Sequence, residues 1–96
     1  MNLPVKVTVA WSDQKLGRLP SGNSYVTVAK FSEDADGWPN EGWSVALEFY
    51  PGAAHARTFE ATARFLVPNA PWGRLKPGCI FELYEGNKLT AKVSVC

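Results

Sequence analysis

The sequence is poor in the side chains that carry most enzymatic chemistry, with a single histidine, His55, and two cysteines, Cys79 and Cys96. A nucleophilic serine or cysteine needs a base beside it and a third group that orients the base. His55 lies between alanines after a Pro-Gly pair, a context typical of an exposed loop. We therefore expect no catalytic residue, no cofactor and no enzymatic activity.

Metal-binding patterns are lacking as well. There is no Cys-x-x-Cys pair with the spacing of a zinc site. Residues 32–42 hold four of the nine acidic residues, but Asp34 and Asp36 before Gly37 lack the third carboxylate that a calcium loop places there. A solvated connection, whose charges discourage strand pairing with other chains, is the simpler interpretation. We predict no metal site.

No strong excess of charge is present either. The chain has ten Lys and Arg against nine Asp and Glu, for a formal net charge of +1, whereas proteins that bind phosphate backbones usually carry a clear basic excess. Residues 1–56 contain four basic and six acidic residues, and residues 57–96 contain six and three. A solvated mixed surface explains this asymmetry as well as a binding face does.

Long apolar runs are absent too. No stretch approaches the 18 or more residues of a membrane-spanning helix. The N-terminus lacks the basic segment and unbroken apolar stretch of a signal peptide. The sequence thus predicts no membrane segment and, by default, a cytoplasmic protein whose strand pattern begins by residue 5.

What the sequence does contain is alternation of apolar and polar residues, rich in β-branched and aromatic side chains. Phe59, Ala61, Ala63 and Phe65, for example, alternate with polar neighbours, and a helix would scatter these residues around its circumference. Six segments read as strands: 5–11, 25–31, 43–50, 57–65, 79–85 and 89–95. At 96 residues this predicts a single all-β domain, either a closed or nearly closed barrel or a sandwich of about six strands.

The hairpin between the last two predicted strands allows two registers, which differ in the faces on which the apolar residues lie. A two-residue loop at Gly86 and Asn87 would put the apolar residues of the two strands on opposite faces. A three-residue loop pairs Leu83 with Ala91 and Phe81 with Val93, on one face with Leu89 and Val95. We therefore predict an odd loop or a β-bulge at this hairpin.

The same register predicts whether the two cysteines can form a disulfide. Cys79 falls opposite Val95 and points inward, whereas Cys96 follows Val95 and points to the other face. Two cysteines whose Cβ vectors diverge cannot bridge without backbone movement. We predict two thiols without a disulfide, Cys79 buried and Cys96 exposed near the terminus.

From about residue 64 the chain resembles the C-terminal β-barrel domains of elongation factor Tu and its relatives. The resemblance is carried by Arg64-Phe65-Leu66-Val67-Pro68, by Leu75-Lys76-Pro77-Gly78 and by Phe81-Glu82-Leu83-Tyr84-Glu85-Gly86-Asn87-Lys88. Pro77-Gly78 makes an entry turn, and Gly86 supplies a positive φ at the hairpin. The match covers about the last third of the chain, and Ala91, Lys92 and Val93 stand where the family is glycine-rich.

The resemblance implies a Greek-key barrel that stands free of the family's GTPase domain. No Gly-x-x-x-x-Gly-Lys-Ser/Thr loop occurs, so GTP hydrolysis is excluded. Contacts that the family makes with tRNA or exchange factors do not transfer to named residues of this chain. Binding of RNA or of the translation machinery is the alternative function that the resemblance suggests.

Two of the four tryptophans, Trp38 and Trp72, lie beside proline and glycine in predicted loops. Such residues either cover the ends of a barrel, the simpler interpretation, or stand exposed as anchors, and exposed Trp and Arg are enriched at binding hot spots. The candidate binding residues are Trp38, Trp72, Arg74 and Lys76. The basic residues form no contiguous stripe along the predicted strands.

These observations favour a non-catalytic protein-interaction domain of bacterial type, an adaptor or an immunity protein bound to a toxin. The expected partner is a protein, with nucleic acid as the alternative. An enzyme with an unrecognised site is the third and least favoured hypothesis, because few side chains of this sequence can act as a general base.

Overall fold

A computed structural model of the chain describes residues 4–13, 15, 19–20, 22–31, 42–67 and 70–96. Within these residues it contains six strands and two single 3₁₀ turns, Ala53–His55 and Trp72–Arg74. The strands are β1 Val5–Trp11, β2 Ser24–Lys30, β3 Trp43–Glu48, β4 Thr58–Phe65, β5 Ile80–Glu85 and β6 Lys88–Val95. The all-β class is confirmed.

The strands form one closed barrel in the order β1-β4-β3-β2-β5-β6, and β6 pairs with β1 to complete the ring. Every neighbouring pair is antiparallel. Strands β2, β3 and β4 are successive neighbours, and β1 lies beside β4, which is the Greek-key arrangement. The predicted six-stranded Greek-key barrel is therefore confirmed.

Alternation along the strands fills the barrel interior. In β4 the side chains of Phe59, Ala61, Ala63 and Phe65 are buried, as predicted from their spacing. Ala61 pairs with Val7 of β1 and Ala63 with Leu47 of β3. Small residues opposite larger ones let the two sides of a narrow barrel approach closely.

Aromatic rings close the two ends of the interior. At the upper end, where β1, β3 and β5 finish, Trp11 lies 5.4 Å from Phe59, which in turn contacts Phe49 at 5.2 Å between ring centroids. At the lower end, where β2, β4 and β6 finish, Phe31 stacks on Phe81 at 4.7 Å. Offset and edge contacts of this kind stabilise by about 1 kcal/mol beyond the area they bury.

The β5–β6 hairpin combines a two-residue turn with the strand pairing that was predicted for a three-residue loop. Its turn is Gly86-Asn87, with Glu85 opposite Lys88, so the three-residue loop is not formed. The register then shifts between Leu83 and Tyr84, which restores the predicted pairing of Leu83 with Ala91. The predicted β-bulge is confirmed, and Gly86 has the expected positive φ of 61°.

Two details of this hairpin differ from the sequence prediction. Leu89 does not join the core, because it lies before the bulge and pairs with the outward-facing Tyr84. Thr90 is the extra residue at the bulge, and its side chain is buried where that of Leu89 was expected. Its hydroxyl donates to the carbonyl of Leu83 at 3.1 Å, so the buried oxygen is satisfied.

The two cysteines form no disulfide, as predicted. Cys96 is exposed and its sulfur lies 3.9 Å from the hydroxyl of Thr8. Cys79 is half-buried and packs against the core, so it is less enclosed than the sequence indicated. The backbone N–H of Val95 donates to the carbonyl of Cys79, which places these two residues side by side as expected.

We expect a thiol titration of protein purified without reductant to find both cysteines after denaturation. In the folded protein Cys96 should react with a disulfide reagent first, because its side chain is exposed and that of Cys79 is not. A Cys96→Ser variant identifies the fast phase. Recovery of no thiol from the denatured wild-type chain would contradict the structure.

Candidate functional site

Exposed and polar side chains concentrate in three places on the barrel. The first, the β4–β5 surface, consists of Leu66, Val67, Trp72, Arg74, Lys76 and Ile80 at the lower end. The second, the Lys15 cluster, consists of Lys15, Tyr25, Glu85 and Thr90 at the upper end. The third is a groove beside Tyr50 on the outer face of β3 and β4.

Two buried residues anchor the connection that carries the β4–β5 surface. Ala70 and Leu75 are both in the hydrophobic core, and the 3₁₀ turn between them is closed by a 3.1 Å bond from the N–H of Leu75 to the carbonyl of Trp72. These two residues cover the lower end of the barrel. Trp72 is left with 48% of its surface exposed.

The basic residues of this surface are placed differently. The guanidinium of Arg74 lies 5.6 Å from the ring centroid of Phe31, so its stem follows the lower aromatic cluster and it is half-buried. Lys76 is exposed. The structure thus brings Trp72, Arg74 and Lys76 together on one short segment, whereas Trp38 lies outside the described residues.

Exposed aliphatic side chains flank this segment. Ile80, at the start of β5, is 63% exposed, and Leu66 and Val67, directly after β4, are also exposed. Sequence reasoning overlooked all three, although alternation with the inward-facing Phe65 and Phe81 would have placed Leu66 and Ile80 outside. No acidic residue occurs from residue 65 to residue 81. The β4–β5 surface is therefore apolar and basic.

The Lys15 cluster contains an ion pair between a buried lysine and a partly exposed carboxylate. The Lys15 Nζ donates to Glu85 Oε2 at 2.5 Å and lies 4.9 Å from the ring centroid of Tyr25. The Tyr25 hydroxyl donates to the same carboxylate and lies 3.2 Å from the hydroxyl of Thr90. Sequence reasoning missed this cluster, because its members are up to 75 residues apart in the chain and share no local pattern.

The environment of these groups decides what chemistry they can perform. Hydrogen bonds from Lys15 and Tyr25 lower the pKa of the Glu85 carboxyl. Burial, followed by the neighbouring Glu85, raises the pKa of Tyr25 well above its usual range. At neutral pH the tyrosine keeps its proton and the carboxylate is already satisfied, so neither group is prepared to accept a proton from a substrate. The arrangement instead ties the β1–β2 connection to the β5–β6 hairpin.

The groove beside Tyr50 has a volume of about 770 Å³. It is lined by Lys6, Asn23, Glu48, Phe49, Tyr50, Pro51, Ala53, Glu60, Ala61 and Thr62. Tyr50, one of these lining residues, is 86% exposed. Sequence reasoning did not find this groove, although Pro51-Gly52 marks the place where the chain leaves the sheet.

Across the described ranges, no three side chains of His, Cys, Asp and Glu come together as metal ligands. His55 is exposed at the end of its 3₁₀ turn. None of the helical segments in this part of the chain has the length and apolar content that crossing a membrane requires.

We expect Glu85→Gln to lower the free energy of unfolding at pH 7 by about 1–2 kcal/mol, the usual contribution of hydrogen bonds to a partly exposed charge. The folded-state pKa of Glu85 is depressed, so its stabilisation is present above the unfolded value of 4.5 and is lost as pH falls through the folded value. Urea denaturation of the variant should accordingly show a shallower loss of stability between about pH 5 and pH 2 than the wild type.

The matched control for this measurement is Glu60→Gln, which makes the same change of charge on the outer face of β4. Its pH profile should follow that of the wild type. Parallel profiles for Glu85→Gln and the wild type would mean that the ion pair with Lys15 contributes nothing to folding.

Comparison of the chain with protein-family models, with curated proteins and with solved structures found no match. The resemblance to the elongation factor Tu barrels accordingly stays a prediction from the motifs that carry it. Function has to be argued from the geometry of the three places described above, of which the β4–β5 surface contains the residues that the sequence singled out.

Proposed function

We propose that the chain is a non-catalytic, cytoplasmic protein-interaction domain that binds a partner protein through the β4–β5 surface. One observation carries the proposal: Trp72 is half-exposed on a segment whose flanks expose further apolar side chains. Among the described residues, the exposed large hydrophobics are Val26, Tyr50, Leu66, Val67, Trp72 and Ile80, so four of the six belong to this one surface. All four lie on or directly beside the connection between β4 and β5, and exposed apolar side chains gathered in one region mark interaction sites on soluble proteins.

The segment is also held in place before any partner binds. Leu75 and Ala70 are buried in the core, and the turn of Trp72–Arg74 is closed by backbone hydrogen bonds at both of its ends. An aromatic anchor that is already ordered loses little conformational entropy on association. Tryptophan and arginine in such positions contribute most of the binding energy of typical interfaces.

The charge of the surface supports a partner with carboxylates around an apolar patch. Arg74 and Lys76 are its only charged residues, and both are basic. Basic residues at the rim of an interface increase the association rate and select complementary partners more than they add affinity. An adaptor or a toxin-binding immunity protein would use such a surface.

RNA binding is the second candidate, because an exposed tryptophan beside Arg74 and Lys76 is also a stacking platform. Two other arginines weaken this candidate. Arg57 is paired with Asp13 at 2.6 Å, and Arg64 lies 3.6 Å from Glu48. With a net charge of +1, the chain also has little basic excess with which to neutralise a phosphate backbone. A protein partner is therefore the better supported proposal. The resemblance to elongation factor Tu suggests the translation machinery as one place to look for that partner.

We expect Trp72→Ala to weaken the partner complex by at least about tenfold, as truncation of an aromatic hot spot does. Ile80→Ala should weaken it by a smaller factor. The partner would be identified by affinity purification at stoichiometric amount, and its dissociation constant measured by calorimetry for each variant. Val26→Ala is the matched control for Ile80, because Val26 is an exposed β-branched residue of β2 outside this surface.

Thermal denaturation of each variant separates loss of binding from loss of folding. All three substitutions replace exposed side chains, so the midpoints should stay within a few degrees of the wild type. An unchanged dissociation constant for Trp72→Ala would remove the β4–β5 surface from the interface. Affinity for tRNA that falls steeply with salt and is lost in Arg74→Ala would instead support the second candidate.

A further inference from the structure

The junction between β2 and β5 is closed by backbone pairing over only part of its length. The ladder pairs Val28 with Tyr84 and Lys30 with Glu82. Among the described residues, no pair continues this ladder above Val28, although β2 begins at Ser24. The upper half of the β2–β5 junction is therefore closed by something other than a backbone ladder.

Side chains that cross the junction provide this closure. The Tyr25 hydroxyl of β2 donates to the carboxylate of Glu85 at the end of β5. The Thr27 hydroxyl, on the same side of β2, donates to the backbone carbonyl of Tyr84. The Lys15 Nζ, from the connection between β1 and β2, donates to Glu85 as well. Two of these three contacts end on a single carboxylate.

The charge of Glu85 is what allows Lys15 to stay buried. The Lys15 side chain is only 10% exposed, and its Nζ lies 2.5 Å from the Glu85 carboxylate. Among the described residues, the other titratable groups that act on Glu85 are Tyr25 and the cation of Lys88. Neutralising Glu85 would thus leave two cations and no anion at this place. A buried ammonium without its partner is strongly unfavourable, so Lys15 would move into water.

We propose that the Lys15 cluster is an acid-sensitive switch, which opens the upper half of the β2–β5 junction when Glu85 loses its charge. Lys15 leaves its buried position, Tyr25 loses its acceptor, and the upper end of the β2–β5 ladder frays while the other junctions stay paired. Trp11, which the Tyr25 ring contacts edge-on at 5.2 Å between centroids, then becomes accessible to water. The opening is confined to the upper end, so the proposal does not rest on the function proposed for the β4–β5 surface.

The backbone of β2 supplies an internal control for a test of this switch. The N–H of Phe49 donates to the carbonyl of Asn23, and hydrogen-bonded residues alternate along an antiparallel strand. Every second residue after Asn23, including Ala29, accordingly bonds to β3. The residues between them, including Val28, point towards β5. The adjacent amides of Val28 and Ala29 therefore report on opposite sides of the same strand.

The test is amide hydrogen exchange of the whole chain at neutral pH, followed by NMR, with each rate divided by the intrinsic rate of its sequence. We expect Glu85→Gln to raise the ratio of the Val28 rate to the Ala29 rate by at least about tenfold, because only the β2–β5 junction opens. Glu60→Gln, the same loss of charge on the outer face of β4, should leave the ratio unchanged. A constant ratio in Glu85→Gln, even with both rates raised, would overturn the proposal, since the cluster would then stabilise only the barrel as a whole.

A double variant tests whether the unpaired ammonium drives the opening. Lys15→Met combined with Glu85→Gln removes the cation together with its partner and keeps an apolar side chain of similar length. The exchange ratio should return to within about threefold of the wild type, as expected when both members of a buried pair are replaced. Persistence of the full Glu85→Gln effect in the double variant would contradict this cause of the opening.

The wild type itself should show the switch as the pH is lowered. Hydrogen bonds from Lys15 and Tyr25 lower the pKa of the Glu85 carboxyl, so the closed form is present above the unfolded value of 4.5 and is lost as pH falls through the folded value. The Val28 to Ala29 ratio of the wild type should rise over this range to that of Glu85→Gln, whose own ratio stays level. A wild-type ratio that stays level until the whole barrel unfolds would overturn the proposal.

Discussion

The whole fold depends on the way in which β6 pairs with two neighbours at once. Val93 lies opposite Phe81 on one side and opposite Val9 on the other, and Ala91 lies between Leu83 and Trp11 in the same way. This double pairing closes the ring, so that the inward side chains of all six strands meet in one interior. It holds only if Ala91, Val93 and Val95 face inward, because a slip of one residue would turn each of these side chains to the opposite face.

The bulge at Thr90 allows β6 to keep its apolar residues inward although the turn before it has only two residues. Gly86-Asn87 favours a tight two-residue connection, and that connection alone would put Leu83 and Ala91 on opposite faces of the sheet. One extra residue in β6 corrects the register, and the buried hydroxyl of Thr90 is satisfied by the Leu83 carbonyl. The Tyr25 hydroxyl also lies 3.2 Å from Thr90, so the bulge is joined to the ion pair of Lys15 and Glu85.

Local periodicity explains which features could be predicted from the sequence. The inward set of β4 and the bulge both follow from alternation along adjacent strands, and the sequence predicts both. The Lys15–Glu85 pair and the groove bring together residues that only barrel closure makes neighbours. Trp72 shows the same limit: its sequence context did not decide how far its side chain is exposed. The structure leaves it about half exposed, while Ala70 and Leu75 are the residues of this connection that join the core.

The closed barrel also limits how distant parts of its surface can influence each other. The β4–β5 surface lies at the lower end, whereas the groove beside Tyr50 begins where β3 ends, at the upper end. Coupling between two places on a protein requires an element with two arrangements that both ligands bias. A closed antiparallel barrel with a continuous core is not such an element, since its strands cannot slide without losing register. A ligand bound at one end should thus leave the structure of the other end unchanged.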